Sequence, residues 1–198
     1  MKLILGSKSP RRKELLEAMG LVFEIRTKET DESFPCDLPL EDVAVYVANK
    51  KAFAFSPLIT DGEVILCADT VVIVENNILG KPKDIQEALK MLQLLSGRDH
   101  KVITGVCLRS TTKEHVFSVC THVTFSKLNT ETINYYVDTF KPFDKAGAYG
   151  IQDWIGHVAV EKITGSYNNV VGLPTHETYL ALRQFENGHH LTYKRDME

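Results

Sequence analysis

Short apolar runs alternate with stretches of helical spacing along the chain, and this alternation predicts an α/β protein. Leu3-Ile4-Leu5 reads as a short buried strand. Ser9-Pro10 reads as a helix start, with a hydroxyl N-cap and proline at the first helical position. Leu15, Leu16 and Met19 supply that helix's apolar stripe, and Gly20 is its natural C′ residue. Val22 to Arg26 alternates as a second strand, and 27–38 is a polar, acidic loop. Pro39 opens a helix with Glu41 and Asp42 in its first turn, where the helix dipole favours them, and Lys51 near its end.

Glu63 to Val74 is the most strand-like stretch, interrupted only by Ala68-Asp69-Thr70. Asn76-Asn77 signals a tight turn. Asp84 and Glu87 resemble a capping box ahead of a helix with Leu89, Leu92 and Leu95 on its face, ended by Gly97. Two long strands, about 100–109 and 114–125, are joined by Ser-Thr-Thr and require an antiparallel part of the sheet. Thr130 caps a helix to about Thr139. Residues 144–152 are glycine-rich and polar, 158–163 form a strand, and Pro174 starts a last helix to about Phe185. With no repeat and no linker, one domain over 1–186 is expected, followed by a polar, frayed tail over 187–198.

Composition narrows the function classes. The chain has 198 residues, 43% hydrophobic and 25% charged, an ordinary balance for a globular protein. Its longest apolar runs fall far short of the ~20 residues of a membrane helix. The Met1–Gly6 start is too short for a signal peptide and is followed at once by basic residues, so a cytoplasmic protein is expected. A net charge of −3 attracts neither nucleic acid nor an anionic membrane, and an anionic ligand needs a local basic cluster. Cys36, Cys67, Cys107 and Cys120 form no CxxC pair, and no zinc site is expected. Cys67, Cys107 and Cys120 lie in apolar runs and read as small core residues.

Several residues could carry chemistry. The segment Gly6 to Arg12 joins a strand to a helix N-terminus, where backbone N–H groups, hydroxyls and guanidiniums suit a phosphate; a capped helix with solvated arginines is the plainer alternative. It is neither a Walker A loop nor a GxGxxG turn. Asp69, inside an apolar strand, needs a partner, a metal or a chemical task, or it simply bonds to backbone amides. Lys51 and Lys81 are weak signals singly. Asp31-Glu32 either supplies metal ligands or is a solvated loop. Gln152, beside small residues, carries an amide able to donate to and accept from a base edge.

Taken in order, Ser7-x-Ser9-Pro10-Arg11-Arg12, Asp31-Glu32, Lys51-Ala52, Ala68-Asp69-Thr70-Val71-Val72, Gly80-Lys81-Pro82, the run from Asp144 to Gln152, Gly165-Ser166-Tyr167 and Val171-Gly172-Leu173-Pro174 resemble the Maf family of nucleoside triphosphate pyrophosphatases, once called septum formation proteins. The resemblance spans about residues 1–185. It implies a fold like that of the inosine triphosphate pyrophosphatases: an elongated α/β structure with a mixed, curved sheet, flanking helices and two lobes around a cleft. It also implies metal-dependent hydrolysis of a nucleoside triphosphate to monophosphate and pyrophosphate, cleansing the nucleotide pool. Asp69 matches the family's proton acceptor, and Glu32, Lys51 and Lys81 match its other active-site charges. Glu32 and Asp69 would hold Mg²⁺ or Mn²⁺. Ser7 and Arg11 match its phosphate-binding start. Arg12, Thr70 and Gln152 match the positions that separate substrate subfamilies, and resemble the dTTP/UTP branch. The implied partner is the nucleotide, with neither nucleic acid nor membrane, and a homodimer is compatible. A non-catalytic nucleotide sensor regulating cell division is the competing reading. Two departures from the family pattern stand out: Gly6 where alanine is commoner, and Asp153-Trp154 where a glycine usually follows Gln152.

Overall fold

The computed structural model describes residues 1–185 and 190–194. Among the described residues, seven strands form a mixed sheet: β1 (Lys2–Leu5), β2 (Phe23–Ile25), β3 (Glu63–Val74), β4 (Asn77–Leu79), β5 (Asp99–Arg109), β6 (Glu114–Phe125) and β7 (Val160–Thr164). Their order is β2-β1-β3-β5-β6-β7, with β4 paired to β3. β1 lies parallel to both β2 and β3, whereas β4 and β7 run antiparallel to β3 and β6. The helices are α1 (Pro10–Ala18), α2 (Val43–Ala54), α3 (Ile85–Leu95), α4 (Thr130–Phe140), α5 (Trp154–Ala159), α6 (Tyr167–Val171) and α7 (Thr175–Arg183). The mixed α/β class with flanking helices is therefore as the sequence predicts.

The described chain divides into two compact units. The first comprises residues 1–69, 104–119 and the segment from Gly172 onward. Its core has Leu3, Leu5, Leu66, Leu108 and Leu182 in one cluster, and Ile4, Ala48, Ala52, Cys67 and Cys107 in another. Gly105, in mid-strand, is what brings α2 down onto β5: a Cβ there would lie 2.3 Å from the backbone of Val45. A glycine normally weakens a strand interior, and here close backbone approach explains it. The second unit comprises residues 70–103 and 120–171. Its core gathers Leu92, Leu95, Val123, Phe125, Tyr136, Tyr149 and Ile155.

Several local expectations need correction. Ser9 occupies the N-cap position of α1, but its side chain makes no capping hydrogen bond. The Ser7 hydroxyl instead accepts from the Ser9 N–H at 3.1 Å. Of the apolar stripe on α1 only Leu16 is buried, while Leu15 and Met19 are half-buried. Strand β3 runs unbroken through 68–70; what lapses is burial, at Asp69 and Thr70. The turn after it is centred one residue earlier than expected, with Glu75 and Asn76 at positive φ. The cap of α4 is Asn129, which accepts from Thr132 N–H at 2.8 Å, because its amide reaches the third residue of the helix and Thr130 already lies within it. The short helices α5 and α6 carry no usable hydrophobic period and were not anticipated.

Cys120 is exposed rather than in the core, since inward positions on β6 alternate and Thr121, Val123 and Phe125 take them. The expected tail falls outside the described residues at 187–189 and 195–198. Between them, Leu191 is buried, Val22 N–H donates to Thr192 O at 3.0 Å, and Tyr193 bridges to Leu21.

Candidate active site

In the first unit, the predicted acidic and basic residues meet at α2. Asp69 and Lys51 are each 17% exposed, and the Lys51 ammonium donates to Asp69 Oδ1 at 2.7 Å. The same Nζ lies 2.8 Å from Oε1 of Glu32, which is more exposed. One cation thus joins the loop carboxylate to the strand carboxylate. Half-burial strengthens such a bridge relative to a surface pair, which is worth little.

The loop bearing Glu32 is shaped by its neighbour. Asp31 accepts from Ser33 N–H at 2.9 Å and from Lys50 Nζ at 2.8 Å. These hydrogen bonds, Lys50's first, hold the Asp31 carboxyl well below the usual carboxylate range. Consecutive lysines on α2 therefore take consecutive acids: Lys50 binds Asp31, and Lys51 binds Glu32. Asp31 serves as a brace for the loop, a use that its place in an acidic run does not reveal.

At the β1–α1 junction, Arg12 donates from Nε to Gly172 O at 2.9 Å and from Nη1 to Ser7 Oγ at 3.4 Å. Burial pushes its guanidinium down from the ordinary value, and the charges of Asp69 and Glu32 counter that. It stays cationic throughout the working pH range. Arg11 is half-buried in the first turn of α1. α1 opens with Pro10, which brings no N–H, and Ser9 makes no side-chain cap there. Gly6 departs from alanine for a steric reason: a Cβ would lie 2.5 Å from Cys67 Sγ. Burial pushes the Cys67 thiol up to about 12 and the Cys107 thiol up to about 11, so both are inert core groups, as expected.

The other candidates belong to the second unit. Thr70 is half-buried on β3 next to Asp69. Lys81 is exposed on the turn after β4, and the preceding Gly80 O accepts from Gly147 N–H at 3.0 Å, tying that turn to the 144–152 loop. Gln152 is exposed, with buried Ile151 before it. Tyr136, which sequence reasoning missed, reaches into this loop with its hydroxyl. The available signal was a tyrosine on an apolar helix face, whose hydroxyl needs a partner when buried.

A divalent cation is a chemically suitable guest for the Glu32–Asp69 pair. Among the described residues no group of three or more His, Cys, Asp or Glu is placed to hold a metal. Mg²⁺ asks for less, being bound by one or two carboxylates with water and phosphate completing its shell. Glu32 and Asp69 are two such carboxylates, and in this structure both lie against the Lys51 ammonium.

The family model for Maf-like protein matches residues 2–185. A relative from Flavobacterium psychrophilum, named dTTP/UTP pyrophosphatase, is 49% identical over 181 residues, covering 91% of this chain and 93% of its own. One from Porphyromonas gingivalis with the same name is 46% identical over 187 residues, covering 93% and 94%. Among solved structures, a nucleoside-triphosphatase (dITP/XTP pyrophosphatase) from Mycobacterium abscessus is 15% identical with a TM-score of 0.45, covering 92% and 94%. With the family model spanning nearly the whole chain and such relatives aligned end to end, this chain belongs to the Maf family.

Proposed function

We propose that the protein hydrolyses dTTP and UTP to the monophosphate and pyrophosphate, removing unwanted nucleotides from the cytoplasmic pool. Relatives of that name at 43–49% identity support the substrate class. The observation that carries the reading in the structure is the Glu32–Lys51–Asp69 array, in which two carboxylates share one half-buried ammonium. A non-catalytic sensor has no use for such a set, and the complete array argues against that alternative.

Phosphoryl transfer asks for positioning and charge neutralisation more than for covalent help. Glu32 and Asp69 would hold a divalent cation, which supplies charge neutralisation at the phosphate oxygens when bound. In the reaction, a water oxygen bonds to the α-phosphorus as the bond from that phosphorus to the α–β bridging oxygen breaks. The Asp69 carboxylate takes the water's proton, and pyrophosphate leaves with the bridging oxygen. Lys51 holds Asp69 in place for that role through its hydrogen bond to Oδ1. Ser7, Arg11 and the α1 N-terminus bind the phosphate chain, and Lys81 carries charge on the leaving group. Arg12 and Thr70 act in substrate choice. Gln152 reads the pyrimidine edge, matching the O4 acceptor and the N3–H donor of uracil or thymine.

Product analysis tests this. Incubation with dTTP or UTP and Mg²⁺ or Mn²⁺ is expected to yield monophosphate and pyrophosphate in equal amounts; nucleoside diphosphate with orthophosphate, or a clear preference for GTP-type substrates, refutes it.

A further inference from the structure

Within the second unit, the loop that carries Gln152 is held by a polar network that takes no part in the proposed hydrolysis. Tyr136 on α4 is fully buried, yet its hydroxyl accepts from Gly150 N–H at 3.2 Å and donates to Asp153 Oδ2 at 2.9 Å. Asp153 stands at the N-cap of α5, and its own N–H donates to Gly150 O at 3.0 Å. Lys145 Nζ, 13% exposed, lies 3.6 Å from the same Asp153 oxygen and 2.8 Å from Asp144 Oδ1. Glycine at 150 leaves room for these groups to meet: a Cβ would lie 2.7 Å from Asp153 Oδ2 and 2.9 Å from Lys145 Cε, and both side chains would have to shift.

Gln152 therefore projects from a turn anchored on both sides. Ile151 is buried before it, Asp153 is bonded after it, and Gln152 itself is exposed. An amide on a loose loop would have to be ordered at each binding event, which costs affinity; one held in place avoids that cost. Asp153, a departure from the family pattern on sequence grounds, is accounted for by this bracing.

We propose that Tyr136 and Asp153 are positioning residues for base selectivity: the Tyr136 hydroxyl locks the Gly150–Asp153 turn so that the Gln152 amide is presented to a uracil or thymine edge. This rests on the proposed role of Gln152 as the base reader. Removing the hydroxyl leaves a backbone N–H and a carboxylate to find other partners, and the turn loosens. Base contacts bind ground and transition states alike, so the effect falls on KM.

Steady-state pyrophosphate release from dTTP, UTP, CTP and GTP, measured for the wild type, Tyr136→Phe, Asp153→Ala, Gln152→Ala and the Tyr136→Phe/Gln152→Ala double variant, tests the proposal. Tyr136→Phe and Asp153→Ala are expected to raise KM for dTTP and UTP about tenfold, the scale of one lost buried hydrogen bond, with kcat and the other two substrates little changed. The double variant is no worse than Gln152→Ala alone, because the brace then has nothing to position. Should Tyr136→Phe fail to fold by circular dichroism, Asp153→Ala carries the same readout. Equal losses on all four nucleotides overturn the proposal, as does an unchanged KM in the brace variants while Gln152→Ala loses selectivity. If Gln152→Ala itself keeps wild-type selectivity, the base-reading role fails, a result distinguishable from failure of the brace, and the proposal falls with it.

Discussion

The Lys51 ammonium donates to Asp69 Oδ1 at 2.7 Å, linking the end of α2 to a strand residue 18 positions further along the chain. Through the same nitrogen, Lys51 also meets Glu32. One ammonium thus joins both carboxylates.

Lys51→Met should lower kcat/KM for dTTP by about 10²-fold, the usual scale for removing one preorganised electrostatic partner. The fold should persist, since Ala48 and Ala52 on the buried side of α2 keep their packing. Kinetics beside circular dichroism check this; near-full activity in a folded variant would remove Lys51 from the site.

Asp69→Asn should cost two or more orders of magnitude in kcat, as loss of a general base does. Asparagine keeps the shape of the side chain and suits the half-buried position on an unbroken strand. Retained activity at saturating metal would reduce Asp69 to a structural residue.

Thiol labelling should separate the cysteines into two classes. Cys36 and Cys120 are exposed and should react within the first phase, whereas Cys67 and Cys107, buried with thiols pushed up to about 12 and 11, should react only on unfolding. Peptide mass spectrometry after brief alkylation identifies the modified positions, and early modification of Cys67 would contradict the packing.

Acid should destabilise the protein in two stages. Burial pushes the His100 imidazole down to about 4, with its Nε2 2.7 Å from Tyr149 Oη. Its neutral form is favoured in the fold, so that stability is present above pH ~6.5, the unfolded value, and is lost as pH falls toward 4. Glu63 is buried, and hydrogen bonds from Arg26 first and then Thr60 hold its carboxyl down at about 2. That contribution is present above pH ~4.5 and is lost as pH falls toward 2. Glu63→Gln should cost about 2 kcal/mol at pH 7 and flatten the acid limb between pH 4.5 and 2 in urea titrations. An unchanged acid limb would show that the Arg26 pair contributes nothing.

Much of the architecture could be read from local pattern. The apolar run of β3 marked a strand although Ala68-Asp69-Thr70 read as an interruption, and Asp84 capped α3 as its spacing with Glu87 suggested, accepting from Glu87 N–H at 2.8 Å. Asp69 and Lys51 were singled out by residue type and by the family motifs, and they do meet. Pairings between distant residues had no local signal. Glu63 looked like an ordinary strand start, and only the fold brings Arg26 to it. Tyr136 and Asp153 are 17 residues apart, and nothing in either segment announces the bond between them. Cys120 is different: strict alternation along β6 would have turned it outward, and its apolar neighbours concealed that.

Water attack at the α-phosphorus of a pyrimidine triphosphate is tested by hydrolysis of dTTP in ¹⁸O-enriched water with mass analysis of both products. One labelled oxygen should appear in dTMP and none in pyrophosphate. Label in pyrophosphate, or labelled orthophosphate beside dTDP, would contradict it.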